Sequence, residues 1–173
     1  TYLLYPYKGM NTSVIQEAST HIQIPISELH TGHTDIDGNL LARMQSELEG
    51  KCDNYGYILP DSVGITHKSA GKLLSVNRCS KVDYEIHYTF QSLRPSPRDT
   101  YTCVIDSRSK MGLIAYLQEY DSLSESPILF IIPQPFLQEK EESYTIGDTI
   151  PVEVIESRIK YKNTQIQAVC KPM

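Results

Sequence analysis

Two strand–turn–strand patterns with basic turns, both in the second half of the chain, most constrain how it can fold. In the first, residues 100–105 alternate between apolar and polar side chains, residues 107–110 are a polar, basic turn, and residues 112–117 are mainly apolar. In the second, the β-branched segment 149–155 leads through a basic turn into another strand-like segment at 165–170. Because a period of two is typical of half-buried strands, each pattern predicts a hairpin.

A further apolar run at residues 128–132, bounded by polar segments, predicts a fifth short strand. Five short strands with two basic tips indicate a small β-barrel of the OB type, which can hold single-stranded nucleic acid. We therefore expect a five-stranded OB-type β-barrel in the C-terminal half.

The first half of the chain has the pattern of an antiparallel sheet with one packed helix. Apolar residues at helical spacing run through residues 36–48, with Asp35 or Asp37 as candidate caps and Gly50 at the expected stop. The segment 81–90 alternates cleanly and predicts an amphipathic antiparallel strand. Its apolar face consists of Val82, Tyr84, Ile86, Tyr88 and Phe90. The predicted fold class is therefore α+β.

The domain boundaries follow from composition and from proline. Residues 1–20 are rich in tyrosine and predict an N-terminal extension, whereas a sheet-edge strand with Pro25 begins near Ile22. The two prolines at 95 and 97 predict a stiff connection, which divides the rest into domains at 21–94 and 95–173. Between the predicted strands, residues 61–80 are expected to form a projecting loop.

The overall charge limits the classes of partner. The net charge of −5 and the pI near 5.5 argue against a chain held to duplex DNA by bulk charge, so any nucleic-acid contact must be local. Four scattered cysteines without metal-ligand spacing indicate free thiols in a reducing compartment. There is no apolar run long enough to span a bilayer. We expect a soluble, intracellular protein with no membrane contact.

No pattern of catalytic residues or of a cofactor site is present. The glycine-rich strings that cradle phosphates are absent, and the paired carboxylates have no apolar surroundings that would suit acid–base chemistry. His30, His33, Asp35 and Asp37 lie close together and could share a metal ion, but the same loop calls for an aspartate as helix cap, and we favour that interpretation. We expect no catalytic residue, metal or cofactor.

The candidate functional residues lie at the two basic hairpin tips. They are Arg108 and Lys110 in the first hairpin and Arg158, Lys160 and Lys162 in the second, with Tyr101, Tyr116 and Tyr161 available for base stacking. An OB-type barrel would bring both tips near one binding surface. The alternative is that the tips are charged because they are solvated and that the tyrosines are core or cross-strand partners, and the pattern leaves both open.

The order of short motifs resembles the larger stalk subunit of archaeal and eukaryotic multi-subunit RNA polymerases, a family with divergent copies in large DNA viruses. The matching strings, which run in the same order over about residues 21–171, are Glu49-Gly50-Lys51-Cys52, Tyr55-Gly56-Tyr57-Ile58, Arg94-Pro95 followed by Asp99, Met111-Gly112-Leu113, Gly147-Asp148 and Ile150-Pro151-Val152. The chain departs from the family at Arg98, where glycine is common, in a glycine-poor tip loop, and in residues 1–20. These departures favour a viral copy.

This resemblance implies a non-catalytic subunit whose N-terminal tip domain docks to the polymerase core and whose OB-fold contacts nascent single-stranded RNA. The docking residues it implies are Gly64, Ile65, Ala70, Gly71, Lys72 and Leu73. A small helical subunit normally packs beside both domains in that family. The expected location is the host cytoplasm and virion for a viral protein, or the nucleus for a cellular one. The alternative is a free-standing OB-fold protein that binds single-stranded nucleic acid in translation or RNA handling.

Overall fold

The computed structural model describes residues 13–29, 35–137 and 143–173. The chain divides into two compact units. The sheet unit contains residues 14–49 and 58–92, and the barrel unit contains residues 50–57 and 93–173. The division after Ser92 lies close to the proline-rich connection, whereas the grouping of residues 50–57 with the barrel is a feature that local sequence patterns do not encode.

One long strand organises the sheet unit. The strands are β1 (Ser13–Pro25), β2 (Tyr57–Ile58), β3 (Gly64–Lys68), β4 (Lys72–Val76) and β5 (Cys79–Leu93). The central strand is β5, which is hydrogen-bonded to β1, β2, β3 and β4. As predicted, the even-numbered residues from Tyr84 to Phe90 are buried, while Lys81, Glu85 and His87 are exposed.

The first strand begins well before Ile22, where we expected it to start. Ala18, Thr20 and Ile22 are half-buried on one face of β1, whereas Ser19 and His21 are exposed. The inward positions before Ile22 are Gln16, Ala18 and Thr20, none of which is a large apolar residue. A pattern search for large apolar side chains therefore misses the alternation, and the expectation of an irregular extension up to residue 20 was wrong for 13–20.

The segment expected to be a projecting loop, 61–80, is largely strand. It contains β3 and β4, both antiparallel to β5. Between β4 and β5, Val76 pairs with Cys79 across the two-residue turn Asn77–Arg78, whose φ angles are +50° and +65°. Both central residues of such a turn adopt left-handed conformations, and glycine is their usual sequence signal. Because neither Asn77 nor Arg78 is glycine, the sequence pattern did not predict this hairpin.

The described part of the sheet unit contains two helices, α1 (Ile26–Leu29) and α2 (Ile36–Leu48). Leu40 and Met44 of α2 are almost completely buried, in the same core cluster as Phe90. Asp35 occupies the N-cap position but forms no side-chain cap hydrogen bond. At the other end, the two carboxylate oxygens of Glu49 accept hydrogen bonds from the amides of Asp61 and Val63, at 3.0 and 3.1 Å.

The barrel unit confirms the prediction of five strands. They are β6 (Thr100–Ser109), β7 (Gly112–Leu117), β8 (Ile128–Pro133), β9 (Thr149–Arg158) and β10 (Ile166–Pro172). They form a closed barrel in the order β10–β8–β7–β6–β9, in which β8 and β10 are parallel and the other pairs antiparallel. A short helix, α3 (Gln134–Leu137), follows β8. This arrangement is consistent with an OB-type barrel.

Alternating side chains fill the barrel interior. Its fully buried residues include Cys103, Ile105, Leu113, Ala115, Ile128, Phe130, Ile132, Val152, Val154, Ile166, Ala168 and Cys170. Burying each large aliphatic side chain contributes roughly 1.5–3 kcal/mol. The core therefore fixes which strand residues point outward. Within the described residues, no helix is both long and apolar enough to cross a membrane.

Candidate nucleic-acid interface

The turn between β9 and β10 is the most basic feature of the barrel unit. Arg158 ends β9, and Lys160 and Lys162 follow within the turn, all three with exposed side chains. No carboxylate occurs between residues 158 and 165. The Tyr161 side chain is 68% exposed, and the Lys162 ammonium lies 5.6 Å from the centroid of its ring. A solvent-accessible ring among three cations is the combination that stacks a base and neutralises its phosphates.

Residues 50–57 support this turn from one side. The Cys52 amide donates to the Asn163 carbonyl at 2.7 Å, and the Lys162 amide donates to the Cys52 carbonyl at the same distance. Cys52 itself is buried, and this burial, with a smaller effect from the Asp53 charge, raises the pKa of its thiol to about 11. The backbone at the base of the tip is therefore held by two hydrogen bonds rather than left as an open loop.

A cavity of about 240 Å³ lies beside the same turn. Its lining residues are Asp53, Asn54, Arg94, Ser157, Ile159 and Tyr161. The Asp53 side chain is held in place in the cavity wall, because its carboxylate accepts hydrogen bonds from the amides of Tyr55 and Gly56, at 2.7 and 3.1 Å. Arg94 adds an exposed guanidinium. The cavity thus combines the Arg94 cation, the Asn54 amide and the Tyr161 ring with the Asp53 carboxylate, so its lining carries both signs of charge.

Arg94 was not among the residues predicted to bind nucleic acid. It was interpreted as part of a stiff linker because Pro95 and Pro97 follow it. The linker is indeed ordered against β9, since the Ser157 hydroxyl donates to the Pro95 carbonyl at 2.7 Å. Only the pairing of β9 with β6 brings Ser157 beside the linker, so no local sequence signal identifies Arg94.

The second basic turn, between β6 and β7, is built differently. Arg108 and Lys110 are exposed, and Met111 beside them is 84% exposed. The Ser109 hydroxyl accepts a hydrogen bond from the Met111 amide at 3.2 Å and donates one to the Gly112 carbonyl at 3.3 Å. No tyrosine lies in this turn, so it offers cations without an aromatic platform.

The structure does not bring the two basic turns together. Thr100 at the start of β6 pairs with Glu153, so β9 continues past that end of β6 before it finishes at Arg158. The other turn follows Ser109, at the opposite end of β6. Ten residues at about 3.3 Å each make a strand of roughly 30 Å along its path. The two basic turns therefore lie at opposite ends of β6.

The predicted stacking tyrosines differ in orientation. Tyr101 shares the inward face of β6 with Cys103, and its ring packs against the buried Phe130 with centroids 5.5 Å apart. Tyr101 is therefore a core partner rather than a stacking platform. Tyr116 lies between the buried Ala115 and Leu117, so alternation directs its side chain outward.

The outward face of β7 and β8 is mainly apolar. Tyr116 is the cross-strand neighbour of Leu129, and Ile114 that of Ile131. All four side chains are half-buried. Cross-strand contacts account for part of this burial, and the remaining exposed area provides a surface on which flat groups can pack.

The residues that the resemblance implies for docking lie in the sheet unit. Gly64 and Ile65 belong to β3 and Lys72 and Leu73 to β4, whereas Ala70 and Gly71 lie between these strands. Leu73 is 65% exposed and Ile65 packs partly against the core. The exposed side chains of this set are those of Ala70, Lys72 and Leu73, and Leu73 is the large apolar one among them.

The structure offers little to the alternative metal hypothesis at the start of α2. His30 and His33 lie outside the described residues. The carboxylate of Asp37 forms an ion pair with Lys68, and Asp35 caps the helix through its backbone. Among residues 13–29, 35–137 and 143–173, no group of three or more histidine, cysteine, aspartate or glutamate side chains surrounds one point.

Comparison with known proteins adds no assignment, since no protein-family model matches the chain and a search of curated proteins finds no significant match.

Proposed function

We propose that the barrel unit is an OB-fold that binds single-stranded RNA, within a non-catalytic stalk subunit of a multi-subunit DNA-dependent RNA polymerase. The strand order supports the fold assignment: the barrel closes with the first strand between the second and fourth and with the third parallel to the fifth. OB-folds bind oligonucleotides on the face of their second and third strands and with the two hairpin loops. Here these are the face of β7 and β8 and the two basic turns.

The observation that carries the RNA proposal is the β9–β10 turn. Tyr161 is exposed, Lys160 and Lys162 flank it in the chain, and Arg94 lines the adjacent cavity. Stacking of a base on an aromatic ring contributes about 1–3 kcal/mol and does not depend on sequence. The net charge of −5 limits the long-range attraction of RNA, so binding relies on this local group and is sensitive to salt.

The polymerase assignment rests on the resemblance, and one backbone feature supports it. Arg98 has a φ angle of +76°, in the left-handed region that favours glycine. The polymerase stalk family commonly has glycine at this position. The turn is closed on both sides, since the amide of Asp99 donates to the Ser96 carbonyl and the amide of Ser96 donates to the Asp99 carboxylate. A left-handed residue at position 98 is the conformation that a glycine there would adopt without strain.

Charge reversal of exposed lysines in the β9–β10 turn tests the RNA surface. Lys160→Glu/Lys162→Glu should weaken binding of a fluorescent oligouridylate, and should reduce the slope of log affinity against log salt by about 1.4, at roughly 0.7 per phosphate contact. The matched control is Arg78→Glu/Lys81→Glu, which changes the net charge equally at two exposed cations of the sheet unit, outside the proposed RNA surface. Equal losses in both variants would assign the effect to overall charge and would contradict the proposed site.

Co-purification from the native source tests the polymerase assignment. The tagged chain should recover large polymerase subunits at moderate salt, and Leu73→Asp should reduce their yield by placing a charge on the exposed docking position. Lys81→Glu, at an exposed position on the neighbouring strand β5 and outside the docking set, is a control for charge alone. Recovery of only RNA or ribosomal proteins would instead favour a free-standing protein that binds single-stranded nucleic acid.

A further inference from the structure

Strand β1 forms one edge of the sheet in the sheet unit. It is the terminal strand in the order β1–β5–β2, and its only strand partner among the described residues is β5. Its thirteen residues, at about 3.3 Å each, make an edge of roughly 40 Å. The side of a terminal strand that faces away from its neighbour presents unpaired N–H and C=O groups, which are a template for another strand.

The β1 edge has few of the features that keep edge strands from pairing. Such strands are commonly blocked by lysine, by proline or by several charges. In β1, proline occurs only at the last position, Pro25, and there is no lysine or arginine. Its one carboxylate is Glu17 and its one imidazole is His21. Residues 13–24 can therefore accept a further strand along their length.

The solvent face of β1 is complementary in charge to itself. The exposed residues Glu17, Ser19 and His21 share this face, because side chains two apart point the same way. If a second copy of β1 pairs antiparallel about a two-fold axis at Ser19, each Glu17 lies directly opposite the His21 of the other copy. Opposite charges at directly opposed positions stabilise an antiparallel pair, and the small Ser19 at the axis adds no steric obstacle.

The contacts within the chain leave both groups available for this pairing. His21 is 62% exposed, and its Nδ1 atom lies 2.9 Å from the Asp83 Oδ2 atom. A protonated imidazole donates from both ring nitrogens, so Nε2 can donate to a second carboxylate. Glu17 is exposed and forms no ion pair among the described residues. The His21 ring can therefore join Asp83 of its own chain to Glu17 of a second copy.

The same register covers the apolar start of the strand. Val14 and Ile15 are 56% and 54% exposed, which is unusual for two consecutive large apolar residues. About a two-fold axis at Ser19, Val14 lies opposite Ile24 of the second copy and Ile15 lies opposite Gln23. Pairing in this register therefore buries apolar surface at both ends of the joined strands, as well as satisfying the backbone of the edge.

We propose that two copies of the chain associate through β1, antiparallel about Ser19, so that their sheets become one continuous sheet. Contact of the same patch on both copies gives a closed dimer, which is the commonest symmetry of homo-oligomers. The proposal goes beyond RNA binding and polymerase docking, because no residue assigned to either function lies in β1.

Sedimentation equilibrium of the full chain tests the dimer. We expect a dissociation constant of roughly 10–100 µM, because strand pairing buries less area than an interface of standard size. Glu17→Lys should raise it about tenfold or more, since two cross-strand pairs become repulsive. Glu125→Lys is the matched control, because it makes the same charge change at an exposed position in the barrel unit, and it should dimerise as the wild type does.

Mixing two variants tests the register. His21→Glu should also weaken self-association, because Glu17 then faces another carboxylate. An equimolar mixture of Glu17→Lys and His21→Glu chains should form heterodimers with nearly wild-type affinity, since each cross-strand pair again joins opposite charges. Circular dichroism of both variants checks that the sheet is intact.

Hydrogen exchange provides a structural readout. Amides of β1 that face the open edge should become protected as the wild-type concentration rises, and should exchange rapidly in Glu17→Lys at the same concentrations. Four results would overturn the proposal: a monomer up to about 1 mM, equal dissociation constants for Glu17→Lys and Glu125→Lys, no heterodimer in the mixture, or dimerisation only after residues 1–12 are removed. The last result would mean that this segment occupies the edge in the full chain.

Discussion

The amide nitrogen of Lys162 lies 2.7 Å from the carbonyl oxygen of Cys52. This bond holds the end of the β9–β10 turn against residues 50–57, while Tyr161, one residue earlier, keeps its ring in solvent. A side chain presented from a fixed backbone loses less conformational entropy on binding than one on a flexible loop. The turn is therefore preorganised for stacking.

Tyr161→Leu should weaken the binding of single-stranded RNA by about 1–3 kcal/mol, because it removes a stacked base while keeping an apolar side chain. Fluorescence anisotropy with a labelled oligouridylate measures the change. Phe136→Leu, at an aromatic residue that is 42% exposed on α3, is the matched control and should leave affinity unchanged. If both variants bind as the wild type does, the stacking role of Tyr161 is excluded.

Arg98→Gly should raise the free energy of unfolding by about 0.5–1 kcal/mol, because glycine adopts the left-handed conformation at φ +76° without the clash of a Cβ atom. The hydrogen bond from the residue 98 amide to the Val154 carbonyl, 2.8 Å long, is kept. Urea denaturation gives the difference. Arg98→Ala removes the charge but retains the strain, so a similar gain in that variant would disprove the conformational explanation.

Gly112→Ala should destabilise the protein by about 2–4 kcal/mol. A Cβ atom at this position would lie 2.1 Å from the Ile132 carbonyl oxygen, and the φ angle is +141°. Gly147→Ala separates the steric clash from the backbone strain. The φ angle of Gly147 is +94°, but nothing lies within 4 Å of the added Cβ atom. That variant should lose only about 1 kcal/mol. Equal losses in urea titrations would show that the close approach to β8 has no energetic effect.

The free energy of unfolding should fall as the pH rises above about 9, because two thiols in the barrel core have higher pKa values in the folded state than in the unfolded state. Burial raises the pKa of Cys103 to about 12, with a smaller effect from Cys170, and raises that of Cys170 to about 12. Unfolded thiols release protons from about pH 9, so alkali favours the unfolded state between pH 9 and 12. Cys103→Ala/Cys170→Ala should have a shallower decline in Tm from pH 8 to 10.5. An unchanged slope would assign the decline to other groups.

The barrel strands could be predicted because their inward residues are large and apolar. The alternation that buries Cys103 and Ile105 is visible in the sequence, as are the short apolar runs of β7 and β8. The exposed cations of both turns were also identified correctly as surface residues. Their separation was not, because the position of a turn depends on strand pairing, and pairing is set by contacts distant in sequence.

The parts that could not be predicted lack a local signal. The turn at Asn77–Arg78 has no glycine, and the bulge at Thr66 interrupts the period of β3. The contact of Cys52 with the β9–β10 turn and the place of Arg94 beside Tyr161 both arise only in the folded barrel unit. Tyr101 was offered as a base-stacking residue, although the alternation that we used to place Cys103 inward also places Tyr101 inward.

The closure of the barrel by β10 has a consequence for the order in which the chain folds during synthesis. All strands of the sheet unit pair with β5, which is complete once residue 93 has left the ribosome. The barrel stays open until β10 emerges, and β8 and β9 each present an unpaired edge in the meantime. Open edges pair readily with other chains. The emergence of β10 therefore closes the nascent barrel and removes both open edges.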